Sequence, residues 1–328
     1  MEAKLPKRVY EIAEAIRDMR IRGAGKIARA AVEALIIVAE SSKAQKAEEF
    51  VQEMDEAASL LLQTRPTAVS LPNGIRYVMH RLRLAREEGL DVDGLRERAV
   101  QAGREFIRNS IEAVKRIAEY GSRLIEDGDT ILTYCHSTVA VSVLTKAWRD
   151  GKQIGVISAE TRPRYQGRIT ATILRKEGIP VTLIVDGAVR YFMRRVDKML
   201  VGADAVAANG AVVNKIGTSL AALAAHESGR PVFVATETYK FSPETMLGEL
   251  IVIEERPADE VLPEGHELYR LGVKVRNPAF DITPPQYITL IITEKGVIPP
   301  QAAIAILQRE FGWMSARELY KYQTYIQK

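Results

Sequence analysis

Cys135 is the only cysteine of the chain, and it stands where a predicted strand gives way to a predicted helix. The segment Thr133–Val139 reads TYCHSTV, so small hydroxyl residues precede the helix. Backbone N–H groups and the positive end of a helix favour an anion at such a position. The same field would favour a thiolate, which makes Cys135 a candidate base. The alternative is a small buried packing residue, the more usual role of a free cysteine.

Asp204 lies within an otherwise apolar stretch that follows another predicted strand. A carboxylate in such surroundings must be paired, or its pKa must rise. A raised pKa is what a general acid needs near neutral pH, so Asp204 is the candidate acid. The alternative is a turn or cap residue that accepts backbone hydrogen bonds. Asn214 and Lys215 follow before a helix and offer an amide and an ammonium group to a hydroxylated, phosphorylated ligand.

Cationic residues elsewhere in the chain are candidate anion ligands. The stretch Arg22–Lys26 reads RGAGK and opens a predicted helix; its glycines let the backbone approach an anion, which Arg22 can bind in bidentate fashion. Arg65 lies beside Pro66 in a predicted loop, and Lys240 follows a predicted strand. Each such cation alone is more often a solvated surface charge. Several together favour a ligand with two phosphates over a ligand with one.

Composition excludes several classes of protein. The 328 residues carry 46 basic and 42 acidic side chains, and a net charge of +4 is not typical of a protein that coats nucleic acid. The longest apolar run, Ala34–Ala39, is too short to span a membrane. A single cysteine permits no intrachain disulfide and favours the cytoplasm. The histidines and the cysteine show no metal-ligand spacing, and no GxGxxG follows the first strand, so no cofactor is expected.

The chain divides into two predicted domains near Asp127. Residues 1–126 show apolar spacing typical of helices, interrupted by a predicted loop, Thr64–Gly74. Residues 127–328 alternate short β-rich runs with amphipathic helices, which predicts an α/β domain with a doubly wound parallel sheet. Ligands of such sheets lie beyond the carboxyl ends of the strands. The predicted helices are Val9–Arg20, Ile27–Ala39, Ala44–Leu62, Ile75–Arg86 and Val92–Ile125, and the predicted strands are Thr130–Tyr134, Gly155–Ser158, Val181–Ile184, Met199–Val201 with Ala205–Ala208, Pro231–Thr236 and Ile288–Ile292.

Four motifs resemble those of one superfamily. They are TRPTAV (Thr64–Val69), ILTYC (Ile131–Cys135), GADAVAANGAVVNKIGT (Gly202–Thr218) and ETYKFSP (Glu237–Pro243). Together they resemble the superfamily of initiation-factor 2B regulatory subunits and methylthioribose-1-phosphate isomerases, which includes the archaeal ribose-1,5-bisphosphate isomerases. The resemblance covers nearly the whole chain and is closest to the archaeal isomerases. It implies a helical N-terminal domain followed by a Rossmann-like α/β domain.

The resemblance implies an aldose–ketose isomerase that converts ribose 1,5-bisphosphate to ribulose 1,5-bisphosphate. It implies Cys135 as the base and Asp204 as the acid, and a hydride shift from C2 to C1 stays open as a competing mechanism. Because Arg22 and Arg65 belong to the first predicted domain, we expect the site to close between the domains. The resemblance implies substrate contacts at Arg22, Gly23, Ala24, Gly25, Arg65, Ser137, Thr138, Val139, Asn214, Lys215 and Lys240.

The resemblance also implies a homo-oligomer, either a dimer or a hexamer, with no nucleic-acid or membrane partner. The product suggests a place upstream of an archaeal RuBisCO in AMP and nucleoside salvage, where AMP is a candidate activator. Two alternatives stay open. A methylthioribose-1-phosphate isomerase would share Cys135 and Asp204. The enzymes of that branch resemble one another in having no lysine in the loop where this chain carries Lys240. A regulatory subunit of the initiation-factor exchange complex would lack the paired cysteine and aspartate.

Overall fold

The computed structural model of the chain describes residues 5–312 and residue 314. The chain forms two compact units, of which the first contains residues 5–113 together with 311, 312 and 314, and the second contains residues 114–310. The division after Ala113 falls inside a long helix. Residues 315–328, the end of the second predicted domain, lie outside the described residues.

The first unit is helical. Its helices bury apolar stripes against one another, with Leu35, Phe50, Leu61 and Ile75 fully buried, as amphipathic spacing requires. All of the predicted helices are present, with ends that differ by a few residues. The helices are α1 (Lys7–Arg17), α2 (Ala24–Ser41), α3 (Ala47–Leu62), α4 (Ser70–Glu87) and α5 (Val92–Arg123), which continues into the second unit.

The predicted loop Thr64–Gly74 is too long, because α4 already begins at Ser70 and takes in Pro72. A proline in the first turn of a helix is tolerated, since the N–H that it lacks would have no acceptor within the helix. Pro72 therefore lies in the first turn of α4 and not, as predicted from the sequence, in the loop before the helix.

The second unit alternates strands and helices, as predicted. In chain order its elements are β1 (Thr130–Thr133), α6 (Thr138–Arg149), β2 (Gly155–Ala159), α7 (Gln166–Lys176), β3 (Val181–Ile184), α8 (Val189–Phe192), β4 (Lys198–Val201), β5 (Ala205–Val206), β6 (Val212–Lys215), α9 (Thr218–Glu227), β7 (Val232–Ala235), α10 (Glu267–Arg270), β8 (Phe280–Thr283), β9 (Leu290–Thr293), β10 (Gly296–Ile298) and α11 (Ala303–Phe311).

The described residues form a seven-stranded sheet in the order β10-β9-β7-β4-β1-β2-β3, and only β10 is antiparallel to its neighbour. From β1 the chain moves outward to β2 and β3, and then returns to β4 on the other side of β1. Because parallel crossovers are right-handed, this reversal places helices on both faces of the sheet. The predicted fold class is confirmed. Ligand-binding loops separate at such a reversal, here between β1 and β4.

A second, antiparallel sheet within the described residues has the order β5-β6-β8 and was not predicted. The predicted run Ala205–Ala208 contributes to this small sheet as β5 and does not extend the strand before it. The small sheet matters for function because Asp204 immediately precedes β5 and Lys215 ends β6.

Candidate active site

Cys135 lies at the carboxyl end of β1 with its backbone in the left-handed region, at φ 68°. Its N–H donates to Thr161 Oγ1 at 2.9 Å, and its carbonyl accepts a hydrogen bond from Thr170 Oγ1 at 2.9 Å. The next two residues lead into α6, where Ser137 caps the helix by accepting from the N–H of Ala140 at 3.2 Å. The predicted position of the cysteine between a strand and a helix N-terminus is confirmed.

The protein groups around Cys135 favour its thiol over the expected thiolate. The pKa of the thiol is raised to about 12; burial is the largest cause and the carboxylates of Asp204 and Asp186 add to it, whereas Lys215 and the backbone N–H of His136 act in the opposite direction. Loss of water around the sulfur thus outweighs the favourable field of the helix N-terminus, and the role of Cys135 as the base stays a prediction. The charges that act on this thiol nevertheless include both residues predicted to act beside it, Asp204 and Lys215.

Asp204 lies in the loop after β4, on the other side of the reversal from Cys135. Its side chain is half-buried, and its backbone N–H donates to the carbonyl of Val213 at 2.9 Å. Gly202, two residues earlier, packs directly against Ser137, so that a Cβ at this position would overlap the serine Cβ and Oγ. The structure therefore brings the loop of Asp204 against the loop of Cys135.

Asn214 and Lys215 reach the same place from the small sheet. Lys215 is half-buried, with Nζ 4.7 Å from the centroid of the Phe280 ring, and the buried Asn214 donates from Nδ2 to Thr218 Oγ1 at 3.1 Å. The loop after them passes Tyr134 so closely that a Cβ at Gly217 would overlap the phenol oxygen. Gly217 also has φ 95°, which only glycine adopts readily.

Two carboxylates that the sequence analysis did not single out complete the polar surroundings. Asp281 accepts from the N–H groups of Gly217 at 2.7 Å and Ser219 at 3.1 Å, and burial raises its pKa to about 6. Asp186 follows β3 and accepts from the Thr161 N–H at 2.8 Å. Burial and the negative charge of Asp186 raise the pKa of Tyr134.

Lys240 lies in the segment after β7. Its neighbour Phe241 bridges to Val206, and the N–H of Ser242 donates to the Val206 carbonyl at 2.9 Å, so this segment runs beside the strand that follows Asp204. Lys240 itself is buried and pairs with Glu237 at 2.7 Å. Its charge is therefore already balanced within the protein.

The remaining predicted phosphate ligands belong to the helical unit. Gly23 is the residue before α2 and has φ 89°, so the turn at this point favours glycine. Arg22 is exposed, and Arg65 is half-buried in the loop before α4. Ser70 Oγ donates to the carbonyl of Ala24 at 2.9 Å, so within this unit the starts of α2 and α4, with the cations before them, are neighbours.

Among residues 5–312 and 314, no group of three or more His, Cys, Asp or Glu side chains is arranged to hold a metal ion. In the same part of the chain, no helix combines the length and the apolar character needed to cross a bilayer.

The sequence model of one family, described as the initiation factor 2 subunit family, matches residues 20–300. The chain belongs to this family. The fold is similar to those of solved structures. The structure of translation initiation factor eIF-2B from Pyrococcus horikoshii OT3 is 33% identical, covers 92% of this chain and 100% of that chain, and has a TM-score of 0.78. The structure of 5-methylthioribose 1-phosphate isomerase from the same organism is 35% identical, covers 93% of this chain and 87% of that chain, and has a TM-score of 0.74.

Several curated relatives are more similar in sequence than these structures. Ribose 1,5-bisphosphate isomerase of Thermococcus kodakarensis is 55% identical over 94% of this chain and 96% of that protein. The protein of the same name from Methanocaldococcus jannaschii is 50% identical over 93% and 96%. Methylthioribose-1-phosphate isomerase of Thermosipho africanus is 40% identical over 90% and 87%. The prediction that the chain is an isomerase is confirmed.

Sequence reasoning missed Thr161, Asp186, Asp281 and Glu237. A signal existed for the first two, because each follows a predicted strand, which is where ligand loops of a doubly wound sheet begin. Asp281 lies in β8 of the small sheet, which was not predicted. Glu237 precedes Lys240 by three residues in a short helical turn, so the pairing could have been inferred from spacing only once that turn was known.

Proposed function

We propose that the chain converts ribose 1,5-bisphosphate to ribulose 1,5-bisphosphate. The observation that carries the proposal is the convergence of Cys135 and Asp204 at the reversal of the sheet, with Lys215 acting on the same thiol. Relatives named ribose 1,5-bisphosphate isomerase, which are 45% to 55% identical over more than nine-tenths of their length, support the choice of substrate.

The chemistry assigns one role to each member of the pair. A sugar that carries phosphate on O1 cannot present a free aldehyde while that ester stays, so the reaction begins at the ring oxygen. Asp204 donates a proton to this oxygen as its bond to C1 breaks. Cys135, as a thiolate, then removes the C2 proton and leaves an enol phosphate. Asp204 accepts the proton of the C2 hydroxyl while Cys135 returns its proton to C1, which yields the ketose and restores both groups.

The starting protonation state of this cycle is a thiolate at Cys135 and a protonated carboxyl at Asp204. It has the same net charge as a thiol beside a carboxylate and differs only in the position of one proton. Moving the proton to Asp204 removes the carboxylate charge that raises the pKa of Cys135. Lys215 then stabilises the thiolate, because its positive charge lowers the same pKa.

The phosphates and hydroxyls of the substrate would be held by the predicted ligands. At the start of α6 the first N–H groups lack acceptors within the helix and suit a phosphate, so Thr138 and Val139 contribute backbone donors beside the Ser137 cap. Asn214 and Lys215 would bind sugar oxygens. The other proposed ligands are Arg22, Gly23, Ala24, Gly25, Arg65 and Lys240.

Methylthioribose-1-phosphate isomerase remains a second candidate, and the ion pair of Lys240 favours it. A phosphate on C5 requires a free cation, whereas an apolar methylthio group does not. Because Glu237 already balances Lys240, the second phosphate must either displace this carboxylate or rely on other cations.

Substrate discrimination tests the proposal. Purified protein is offered ribose 1,5-bisphosphate and methylthioribose 1-phosphate in separate samples, and ketose formation is followed by NMR. We expect turnover of the bisphosphate alone. Turnover of the methylthio sugar alone would assign the second activity. Turnover of neither by a folded protein would contradict both and favour a regulatory subunit.

The wider setting follows from the proposed product. Ribulose 1,5-bisphosphate is the substrate of RuBisCO, so the reaction would connect AMP and nucleoside salvage to carbon fixation. Activation by AMP, assembly into a dimer or hexamer and a cytoplasmic location stay predictions.

A further inference from the structure

Cys135 is held in an unfavourable backbone conformation from both sides. Its φ of 68° places a residue with a Cβ in the left-handed region, which few non-glycine residues occupy. Its two peptide groups are both bonded to threonine side chains, the N–H to Thr161 and the carbonyl to Thr170, each at 2.9 Å. Residues in such conformations persist only where the surroundings fix them, and they are frequent at active sites.

Thr161 is itself fixed in the same region. It is fully buried and has φ 63°, which is a rarer conformation still for a β-branched residue. Its hydroxyl donates to the carbonyl of Ala159 at 3.1 Å. Since a hydroxyl has one proton, the oxygen faces Cys135 as an acceptor.

Asp186 holds the backbone of Thr161 and of the residue after it. One carboxylate oxygen accepts the Thr161 N–H at 2.8 Å, and the other accepts the Arg162 N–H at 2.6 Å. The charge of this carboxylate also acts on the Tyr134 hydroxyl, whose pKa it raises. Asp186 after β3 thus fixes the loop after β2, and Thr161 in that loop fixes Cys135 after β1.

We propose that Thr161 and Asp186 are positioning residues, which fix the direction of the Cys135 sulfur by holding its backbone in the left-handed conformation. This rests on the proposed function of Cys135 as the base. Neither residue needs to touch the substrate, because both act through the backbone of the cysteine.

The charge of Asp186 and its hydrogen bonds have opposite expected effects on the activity of Cys135, so an experiment can separate them. Its negative charge raises the pKa of Cys135, as does that of Asp204, whereas Lys215 lowers it. If Asp186 acted on the cysteine through charge alone, Asp186→Asn would increase the thiolate fraction and raise kcat at neutral pH. If Asp186 positions the cysteine, the same substitution lowers kcat although the thiolate fraction rises.

The variants are compared by steady-state kinetics on ribose 1,5-bisphosphate. Thr161→Val keeps the branched shape and charge but loses the hydroxyl; we expect kcat to fall about a hundredfold, the cost of a misplaced reacting group, with KM nearly unchanged. Thr161→Ser keeps the hydroxyl and is expected to retain activity. The control is Thr172→Val, which removes an exposed hydroxyl bonded to the Arg168 carbonyl on α7.

Iodoacetamide alkylation of the single cysteine gives a second measurement that needs no substrate. In Asp186→Asn the apparent pKa of alkylation should fall while kcat also falls. In Thr161→Val the apparent pKa of alkylation should stay the same. The limiting alkylation rate should rise several-fold, because the sulfur is no longer held in one direction. If Thr161→Val does not fold, Thr170→Val replaces it, because Thr170 holds the carbonyl of Cys135.

Wild-type kcat in Thr161→Val, or a raised kcat in Asp186→Asn, would overturn the proposal. If the wild-type protein does not isomerise the sugar, the proposed function fails and alkylation alone decides the positioning role. Equal limiting alkylation rates in Thr161→Val, Thr161→Ser and Thr172→Val would then overturn that role.

Discussion

Lys240 and Glu237 form an ion pair at 2.7 Å whose side chains are only 7% and 2% exposed. Glu237 also accepts a hydrogen bond from the Tyr239 hydroxyl at 2.8 Å. Burial alone would raise the pKa of Glu237, but Lys240 and this hydroxyl outweigh it, and the net shift is downward. The carboxylate is thus ionised beside the lysine that was predicted to bind a second phosphate.

Removing Lys240 alone should destabilise the protein, because it leaves a buried carboxylate unpaired. We expect Lys240→Met to lower the free energy of unfolding by about 3–5 kcal/mol. Adding Glu237→Gln should restore most of this loss, since no unpaired charge remains. Urea unfolding of the single and double variants measures both effects, and a double variant as unstable as Lys240→Met would contradict the pairing.

The same double variant tests whether Lys240 contacts the substrate, because its folded state is not destabilised by an unpaired carboxylate. If the lysine binds the C5 phosphate, KM for ribose 1,5-bisphosphate should rise at least about tenfold, the loss of one charge-assisted contact. Glu237→Gln alone, which leaves the cation unbalanced, should lower KM. An unchanged KM in the double variant would limit Lys240 to a structural role.

Cys135 should be slow to alkylate in the folded protein at neutral pH, because burial raises its pKa to about 12. Asp204→Asn removes a charge that raises this pKa and should speed alkylation, whereas Lys215→Met should slow it. Iodoacetamide labelling followed by mass spectrometry across alkaline pH measures the change. Protein unfolded in urea is the control, and should react as an ordinary thiol. Equal rates in the folded and unfolded chain would contradict the burial effect.

Gly202→Ala should separate the two catalytic loops. The added Cβ would overlap Ser137, so one loop must shift. We expect kcat to fall about a hundredfold and the free energy of unfolding to fall by about 1–3 kcal/mol. Gly155→Ala is the matched control, because its Cβ would meet only the Thr130 hydroxyl at 3.9 Å. Equal activity in the two variants would show that the contact does not position the loops.

The raised pKa of Asp281 should make the free energy of unfolding decrease as the pH rises from 3.8 to about 6. Its pKa is raised from 3.8 to about 6, so the folded protein keeps a proton that the unfolded chain has lost. As the pH rises through this interval, the free energy of unfolding of the wild-type protein should fall relative to that of Asp281→Asn, in which position 281 cannot titrate. Urea unfolding at several pH values measures the difference. The same substitution at the exposed Asp259 is the control, and a pH-independent difference at Asp281 would contradict the raised pKa.

The sequence predicted the parallel sheet and the loops of Cys135 and Asp204 because both depend on local patterns. Short apolar runs separated by amphipathic helices indicate parallel strands, and ligand loops follow such strands. The small sheet escaped prediction because β5 has only two residues and β8 pairs with β6 across a long separation in sequence. Strand pairing of this kind has no local signature.

Charge states were harder to predict than positions. The helix N-terminus beside Cys135 suggested a low pKa, whereas burial of the thiol depends on side chains from distant segments. The partner of Lys240 was close in sequence, but whether the pair is buried or solvated depends on the tertiary packing. Such quantities are set by the folded environment more than by residue type.

The central claim is that Cys135 transfers the C2 proton of ribose 1,5-bisphosphate. The most direct test compares ketose formation by wild-type protein and Cys135→Ser, followed by NMR, with binding of the sugar phosphate measured by calorimetry. The account predicts ribulose 1,5-bisphosphate from the wild type, and loss of turnover in Cys135→Ser with folding and affinity retained. A folded Cys135→Ser variant that forms the ketose at the wild-type rate would contradict it.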